Sequence, residues 1–357
     1  MASAATSFTT LLLISSLLAS PFFSVSKADQ TAFPMVKGLS WTFYKSSCPK
    51  VESIIRKHLK KVFNEDIGQA AGLLRLHFHD CFVKARCDAS VLLDGSASGP
   101  SKQDATPNLT LRAKAFEIIN DLREHVHKEC GRVVSCADIV ALAARDSVFL
   151  TGGPYYDVPL GRRDGLTFAT QNATIDNLQP PTSNATFILN LLATKNPDTT
   201  DAMALSGGHT IGRGHCSSFV NRLYPTQDPT MDGTFASDLK SICPSTYSNS
   251  TTVNDIRSPN KFDNNYHVDL ANRQGLFTSD QDLYTDSRTR EIVESFAANK
   301  TLFFESFVSG MIKMGQLSLL TGKQGEIRGN CSVRNSDNQY SVSVVEEVVE
   351  EVWSELK

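Results

Sequence analysis

The sequence predicts a mainly α fold of two helical lobes stapled by four disulfides, and three observations predict it. Long segments place apolar residues at three- and four-residue spacing with charges on the opposite side, the period of a helix. Alternation of period two is scarce. All eight cysteines lie beyond residue 28, an even count that in an exported chain implies four disulfides in an oxidising compartment. A zinc reading would prefer CxxC pairs, and the chain has none.

Taken in order, residues 1–28 read as a secretory signal peptide. The apolar stretch LLLISSLL (11–18) is followed by Ser26-Lys27-Ala28, a small-x-small cleavage pattern, although the segment before it lacks Lys and Arg. Serines and Pro21 interrupt the stretch, which favours a cleaved signal over an anchor. Residues 51–63 form an amphipathic helix. Residues 69–82 are apolar nearly all the way round, the pattern of a buried helix. Residues 113–128 are amphipathic again, and residues 136–150 form a mostly buried helix carrying Asp138 and Arg145. Gly152-Gly153-Pro154 and GRRDG (161–165) read as turns. A Pro/Asn-rich stretch, 177–184, separates an amino-terminal lobe from a second helical lobe. After Cys331 the composition changes. Val344, Val345, Val348, Val349, Val352 and Leu356 follow a helical period, with Glu346, Glu347, Glu350 and Glu351 opposite. Residues 332–357 are therefore an acidic amphipathic extension, either a removable sorting or docking segment or a frayed terminus.

The net charge is −3 over 357 residues. Removing the +1 of the signal and the −4 of the extension leaves the body, 29–331, near zero. That balance excludes nucleic acid and an anionic membrane as expected partners. Sequons at Asn172, Asn184, Asn249 and Asn299 lie in polar stretches suited to glycans, and Asn108 and Asn330 are formal sequons as well.

The chemistry concentrates in RLHFHD (75–80). Arg75 and His79 are four residues apart on one helical face, with Phe78 beside them. A fixed cation beside a histidine favours the neutral base, and the pair suits proton abstraction with stabilisation of developing negative charge. His77, off that face, is read as part of a buried structural network. Further on, His209 ends an apolar helix after Gly207 and Gly208, glycines that would let something large and flat approach the backbone. Asp280 is the candidate carboxylate for its other ring nitrogen. Hard oxygens gather at Asp80, Asp88 and Ser90, and again at Asp255, Ser258 and Asp263, as calcium prefers. Capping and Asx-turns would leave similar clusters.

These residues sit in motifs that resemble the class III secretory plant peroxidases over residues 38–331. The motifs are Phe43-Tyr44 with Cys48-Pro49, LRLHFHDCFV (74–83), VSCADI (134–139), PLGRRD (159–164), ALSGGHTIG (204–212), FDNNY (262–266), SDQDL (279–283) and GEIRGNC (325–331). The resemblance implies a haem peroxidase domain over 29–331, with one haem b between two helical lobes. The distal lobe would be about 29–175 plus the C-terminal return, and the proximal lobe about 176–320. His79 would be the acid/base, Arg75 the charge stabiliser, and Asn108 the partner of His79's other nitrogen. Phe78 would keep bulky donors from the reactive oxygen. His209 would ligate the iron, with Asp280 behind it. Gln179 would frame the donor site.

The same resemblance pairs Cys48–Cys130, Cys81–Cys87, Cys136–Cys331 and Cys216–Cys243, and Asp138 with Arg162. It implies two calcium ions. The distal one would use Asp80, the Val83 carbonyl, Asp88 and Ser90. The proximal one would use Thr210, Asp255, Ser258, the Lys261 carbonyl and Asp263. The expected reaction reduces hydrogen peroxide and oxidises small phenolic donors by one-electron steps, in lignin, suberin or stress-related oxidation. The expected form is a secreted monomer with no membrane partner, the extension pointing to the vacuole as the other destination. An inactive scaffold and a metal-dependent hydrolase built on His77, His79 and Asp80 are the competing readings.

Three positions depart from the family pattern. The loop Cys81–Asp88 is one residue longer and lacks a glycine, so Ala85 and Arg86 would reach positive φ only at a cost of about 1–2 kcal/mol. Lys102 stands where a glutamate is usual, and Gln179 where a proline is usual, with Pro180 following. The first two predict that distal calcium binds more weakly than proximal calcium.

Overall fold

The computed structural model describes residues 34–83, 86–94, 102–167, 169–195 and 197–337. The signal segment, most of the extension (338–357) and Lys84-Ala85 of the distal loop lie outside the described residues.

Twelve α-helices are present among the described residues. Helix α1 (Val51–Glu65) buries Val51, Ile55, Leu59 and Phe63, a stripe of four-residue spacing. Each such side chain contributes about 1.5–3 kcal/mol when fully buried. Helix α2 (Gln69–Phe82) packs chiefly on α4 (Cys136–Leu150), and α1 and α3 (Ala113–Cys130) close this first group. Ser135 caps α4 by accepting the Asp138 N–H.

The chain then crosses through α5 (Gln171–Ile175) and the irregular stretch 177–184 to α6 (Ala185–Ala193) and α7 (Thr199–Ser206). A 3₁₀ turn, Gly207–Thr210, continues α7 directly. Strands β1 (Arg213–His215) and β2 (Thr251–Val253) pair antiparallel with Gly214 opposite Thr252, and they flank α8 (Gly233–Ile242). Helices α9 (Asn265–Ala271), α10 (Thr278–Thr285), α11 (Arg290–Ala298) and α12 (Lys300–Met314) complete the second group. Helix α12 lies along α7 and also reaches α2, so it joins the two groups.

The core is continuous across both groups, with a smaller cluster around Phe219, Phe235, Leu276 and Phe277 beside the Cys216–Cys243 bridge. The other disulfides are Cys48–Cys130, Cys81–Cys87 and Cys136–Cys331, and no cysteine is free. All four pairings are those the resemblance implied.

One buried polar hub ties the first group to the C-terminal return. Asp138 accepts from Tyr44 Oη at 2.8 Å, Gly161 N at 2.8 Å and Arg162 Nη1 at 2.8 Å. Arg162 also donates through Nε to the Gly315 carbonyl. Residues 161–165, expected as a turn, run extended between the Ser40–Leu160 and Asp164–Glu326 bridges; Gly161 has φ +124°, and a Cβ there would stand 2.6 Å from the Gly38 carbonyl oxygen, which explains its glycine. Among the described residues no helix is long and apolar enough to cross a membrane.

Candidate active site

Helix α2 is buried along its length except at Ala71, Arg75 and Phe78. Their spacing of four and three places them on one face, so a single open stripe runs along an otherwise covered helix. Opposite lies the 3₁₀ turn that continues α7. Its Gly208 and the nearby Gly212 approach Leu74 and Ala71 of α2, where added Cβ atoms would sit 3.6 Å and 3.2 Å away. His209 is thereby held between two glycines that face the stripe. The two glycines before it play different parts. A Cβ on Gly207 would clash with Phe303 and His267 at 2.4–2.8 Å, so Gly207 answers to internal packing, contrary to the expectation for both. At Gly208 an added Cβ would meet only ordinary contacts, Leu74 at 3.6 Å and Phe307 at 4.0 Å.

His79 Nδ1 lies 2.5 Å from Asn108 Oδ1, and Arg75 Nε donates to His79 Nε2 at 3.0 Å. Nε2 therefore accepts, and Nδ1 carries the proton that Asn108 receives. Asn108, 4% exposed, is inside the protein and closed to glycosylation. Arg75 is fixed by carbonyls that sequence gave no sign of: Nη1 donates to Thr110 O, and Nη2 to Pro107 O and Thr110 Oγ1, each at 3.0 Å. Burial pushes the Arg75 guanidinium down to about 10, which leaves it charged at neutral pH. Phe78 stacks edge-on to the His79 ring at 5.6 Å.

His77 points the other way. Its ring nitrogens lie 3.6 Å and 3.9 Å from Cys81 Sγ, so its partner is a disulfide sulfur. Burial and the Arg162 charge push it down to about 3, and it stays neutral. A small void of about 10 Å³ beside it, lined also by Tyr156, Arg162 and Met311, belongs to this packing and not to the open stripe. With His77 and His79 turned to opposite sides, the hydrolase ligand set does not assemble.

On the second lobe, His209 Nδ1 lies 2.8 Å from Asp280 Oδ1. That carboxylate is held by Tyr266 Oη at 2.9 Å and by Phe277 N at 3.1 Å, the latter because Asp280 sits in the first turn of α10. Tyr266 ends the segment FDNNY (262–266), but its spacing from Asp280 carries no signal of contact. Nε2 of His209 makes no hydrogen bond among the described residues, and the side chain is 42% exposed. An imidazole oriented by a buried carboxylate, with its second nitrogen open, fits the donor required of an axial haem ligand. The stripe and the open nitrogen together fit a flat group between the lobes.

Gln179 is half-buried, with Oε1 enclosed. Its neighbour Pro181 accepts the Ser279 N–H at 3.0 Å, which ties the linker to the residue before Asp280.

The oxygen clusters differ in their settings. Thr210 Oγ1 donates to Asp255 Oδ2 at 2.9 Å, and Ser258 Oγ donates to Asp263 Oδ1 at 3.0 Å. Asp255 and Asp263 are buried, and burial with the Asp255 charge pushes neighbouring Asp269 up to about 7. Such crowding of carboxylates suits a divalent cation. Lys261 approaches Asp263 with its ammonium at 3.6 Å. In the distal cluster, Asp80 receives Ala89 N at 2.7 Å and Val91 N at 3.3 Å, and Asp88 Oδ1 receives Ser90 N at 3.2 Å. Val83 is the C-cap of α2. Among the described residues of this region Ala89 is left-handed, at φ +56°, and Ala85, one of the two expected seats of strain, lies outside them.

The peroxidase family model matches residues 55–299. Peroxidase 12 of Arabidopsis thaliana is 62% identical, covering 94% of this chain and 92% of its own length. Cationic peroxidase SPC4 of Sorghum bicolor is 56% identical over 89% of each chain. Peroxidase 5 of Vitis vinifera is 46% identical, over 82% of this chain and 91% of its own. With two opposed histidines, each oriented by its own partner, likeness of this extent places the chain in the class III plant branch of the peroxidase family, as a haem peroxidase.

Proposed function

We propose that His79, Arg75 and Asn108 carry the reaction with hydrogen peroxide, and that His209, backed by Asp280, holds one haem b. The single observation that carries this reading is the Asn108–His79–Arg75 chain of hydrogen bonds, which reaches the open stripe of α2 at Arg75. Bound haem would supply the redox centre that accepts oxidising equivalents from peroxide and passes them on singly.

The protein's own steps follow from the donors and acceptors. Peroxide replaces the bond between Arg75 Nε and His79 Nε2. His79 Nε2 takes the proton from the near oxygen and returns it to the far one, which leaves as water. Asn108 keeps the other ring proton on Nδ1 throughout. Arg75, anchored by Thr110 and Pro107, turns the Nε–H that it gives to His79 toward the departing oxygen and stabilises its charge. Phe78 narrows the approach from the open side.

The donors we infer are small phenols, entering near Gln179, and the mature protein is the domain 29–331, a monomer that enters the secretory pathway. The extension 332–357 directs it to the vacuole in preference to the cell exterior. Reporter fusions with and without the extension check that destination, and identical destinations contradict it. The phenolic reading is tested by supplying hydrogen peroxide and a p-alkylphenol to the haem-loaded protein. Coupled phenol dimers are expected, and their absence while peroxide is still consumed would exclude phenols as donors.

Two calcium sites complete the reading, the proximal one using Thr210, Asp255, Ser258, Lys261 O and Asp263, the distal one Asp80, Val83 O, Asp88 and Ser90. The distal carboxylate Asp80 already receives two backbone N–H groups, which lessens its need for a cation. Chelator titration with metal analysis is expected to remove one ion first, with slowed reaction with peroxide because Asp80 adjoins His79. Release of both ions together, with no early loss of rate, contradicts the order.

A further inference from the structure

Tyr247 differs from every other described tyrosine. It is 91% exposed, whereas Tyr44, Tyr156 and Tyr266 are buried and Tyr155, Tyr224 and Tyr284 are partly covered. Tyr155 Oη donates to Glu52 and Tyr224 Oη to the Cys243 carbonyl, so those phenols are tied within the fold. The Tyr247 hydroxyl makes no hydrogen bond among the described residues, and only its backbone N–H reaches Ser245 Oγ, at 3.4 Å. The loop that carries it is tied to the fold at its start and across its turn. It starts one residue after Cys243, which is bridged to Cys216, and Ser245 N donates to Ser248 Oγ at 3.1 Å across the turn. An exposed aromatic ring is ordinary on a protein surface. A free phenol on an enzyme that generates phenoxyl radicals is a reactant.

We propose that Tyr247 is a phenolic donor on the enzyme's own surface, where the chain becomes covalently joined to its phenolic products. This rests on the phenolic-donor reading above. In the first step a donor phenol gives one electron and one proton to the oxidised enzyme and leaves as a phenoxyl radical. That radical takes a hydrogen atom from the Tyr247 hydroxyl and returns to phenol, leaving a tyrosyl radical. A second phenoxyl radical then joins it through a carbon–carbon bond between the positions ortho to the two oxygens. The two ortho hydrogens move to the oxygens as both rings regain aromaticity. Overall, one hydrogen peroxide takes two electrons and two protons from two phenols and leaves as two waters. Asn249, exposed and two residues on, opens a sequon whose glycan would compete for the same space.

The test uses full-length haem-loaded protein, wild type and Asn249→Gln, turned over with hydrogen peroxide and p-cresol. The peptide bearing Tyr247 is expected to gain the mass of one cresol less two hydrogens. Tyr247→Phe should lose that adduct while producing soluble cresol dimer at the wild-type rate. Soluble dimer without any adduct on Tyr247, in either form, overturns the inference, as does equal labelling of the partly covered tyrosines. If no soluble dimer forms, the phenolic-donor reading itself has failed, and this inference falls with it.

Discussion

Replacing His79 with leucine is expected to slow reaction with hydrogen peroxide by roughly a hundredfold to ten-thousandfold, the usual worth of a positioned acid/base. Leucine fills a similar volume, and Arg75 keeps its anchors on Thr110 and Pro107, so haem uptake should be unchanged. Asn108→Val should give an intermediate rate. It removes the acceptor at 2.5 Å that fixes the proton on Nδ1, but leaves the base in place. Stopped-flow mixing of haem-loaded protein with peroxide measures both variants. A His79→Leu rate within a few-fold of wild type would take the acid/base role away from His79.

Asp138→Ala is expected to destabilise the fold by about 3–5 kcal/mol, the usual cost of breaking a buried ion pair from one side. Arg162 would be left as a charge with almost no exposure, and the donors Tyr44 Oη and Gly161 N would lose their acceptor. The thermal midpoint should fall by on the order of 10 °C. Asp138→Leu combined with Arg162→Met removes both charges and should recover part of the loss, because neither ion is then stranded. An Asp138→Ala midpoint equal to wild type would mean that the hub carries no net stability.

Much of the first lobe was legible because its helices are long and strictly periodic. The expected helix at 51–63 is α1, Val51–Glu65, and the buried helix at 69–82 has the expected bounds. The turn expected at 161–165 is instead an extended segment, because Arg163 and Asp164 bond to Leu320 and Glu326 of the C-terminal return, partners that local sequence does not show. Apart from the apolar helix that leads to His209, the short helices of the second lobe were not legible, since seven to ten residues carry too few periods to stand out. In the site, residue types showed the bases but not what orients them. The grip on Arg75 comes from the carbonyls of Pro107 and Thr110, which any residue would supply. Tyr266 and Asp280 meet only because α9 and α10 pack together. Gly207 and Gly208 look alike in sequence, and only their neighbours, Phe303 for one and Leu74 for the other, separate packing from access.

The most direct measurement is haem uptake by His209→Gly, followed by absorption spectroscopy with and without added imidazole. Asp280 remains in place, held by Tyr266 and the Phe277 N–H, ready to orient an imidazole that takes the vacated position. The account predicts one haem per wild-type chain, weak uptake and an altered spectrum for the variant, and recovery of the wild-type spectrum with imidazole. Wild-type uptake and spectrum in His209→Gly without imidazole would contradict it.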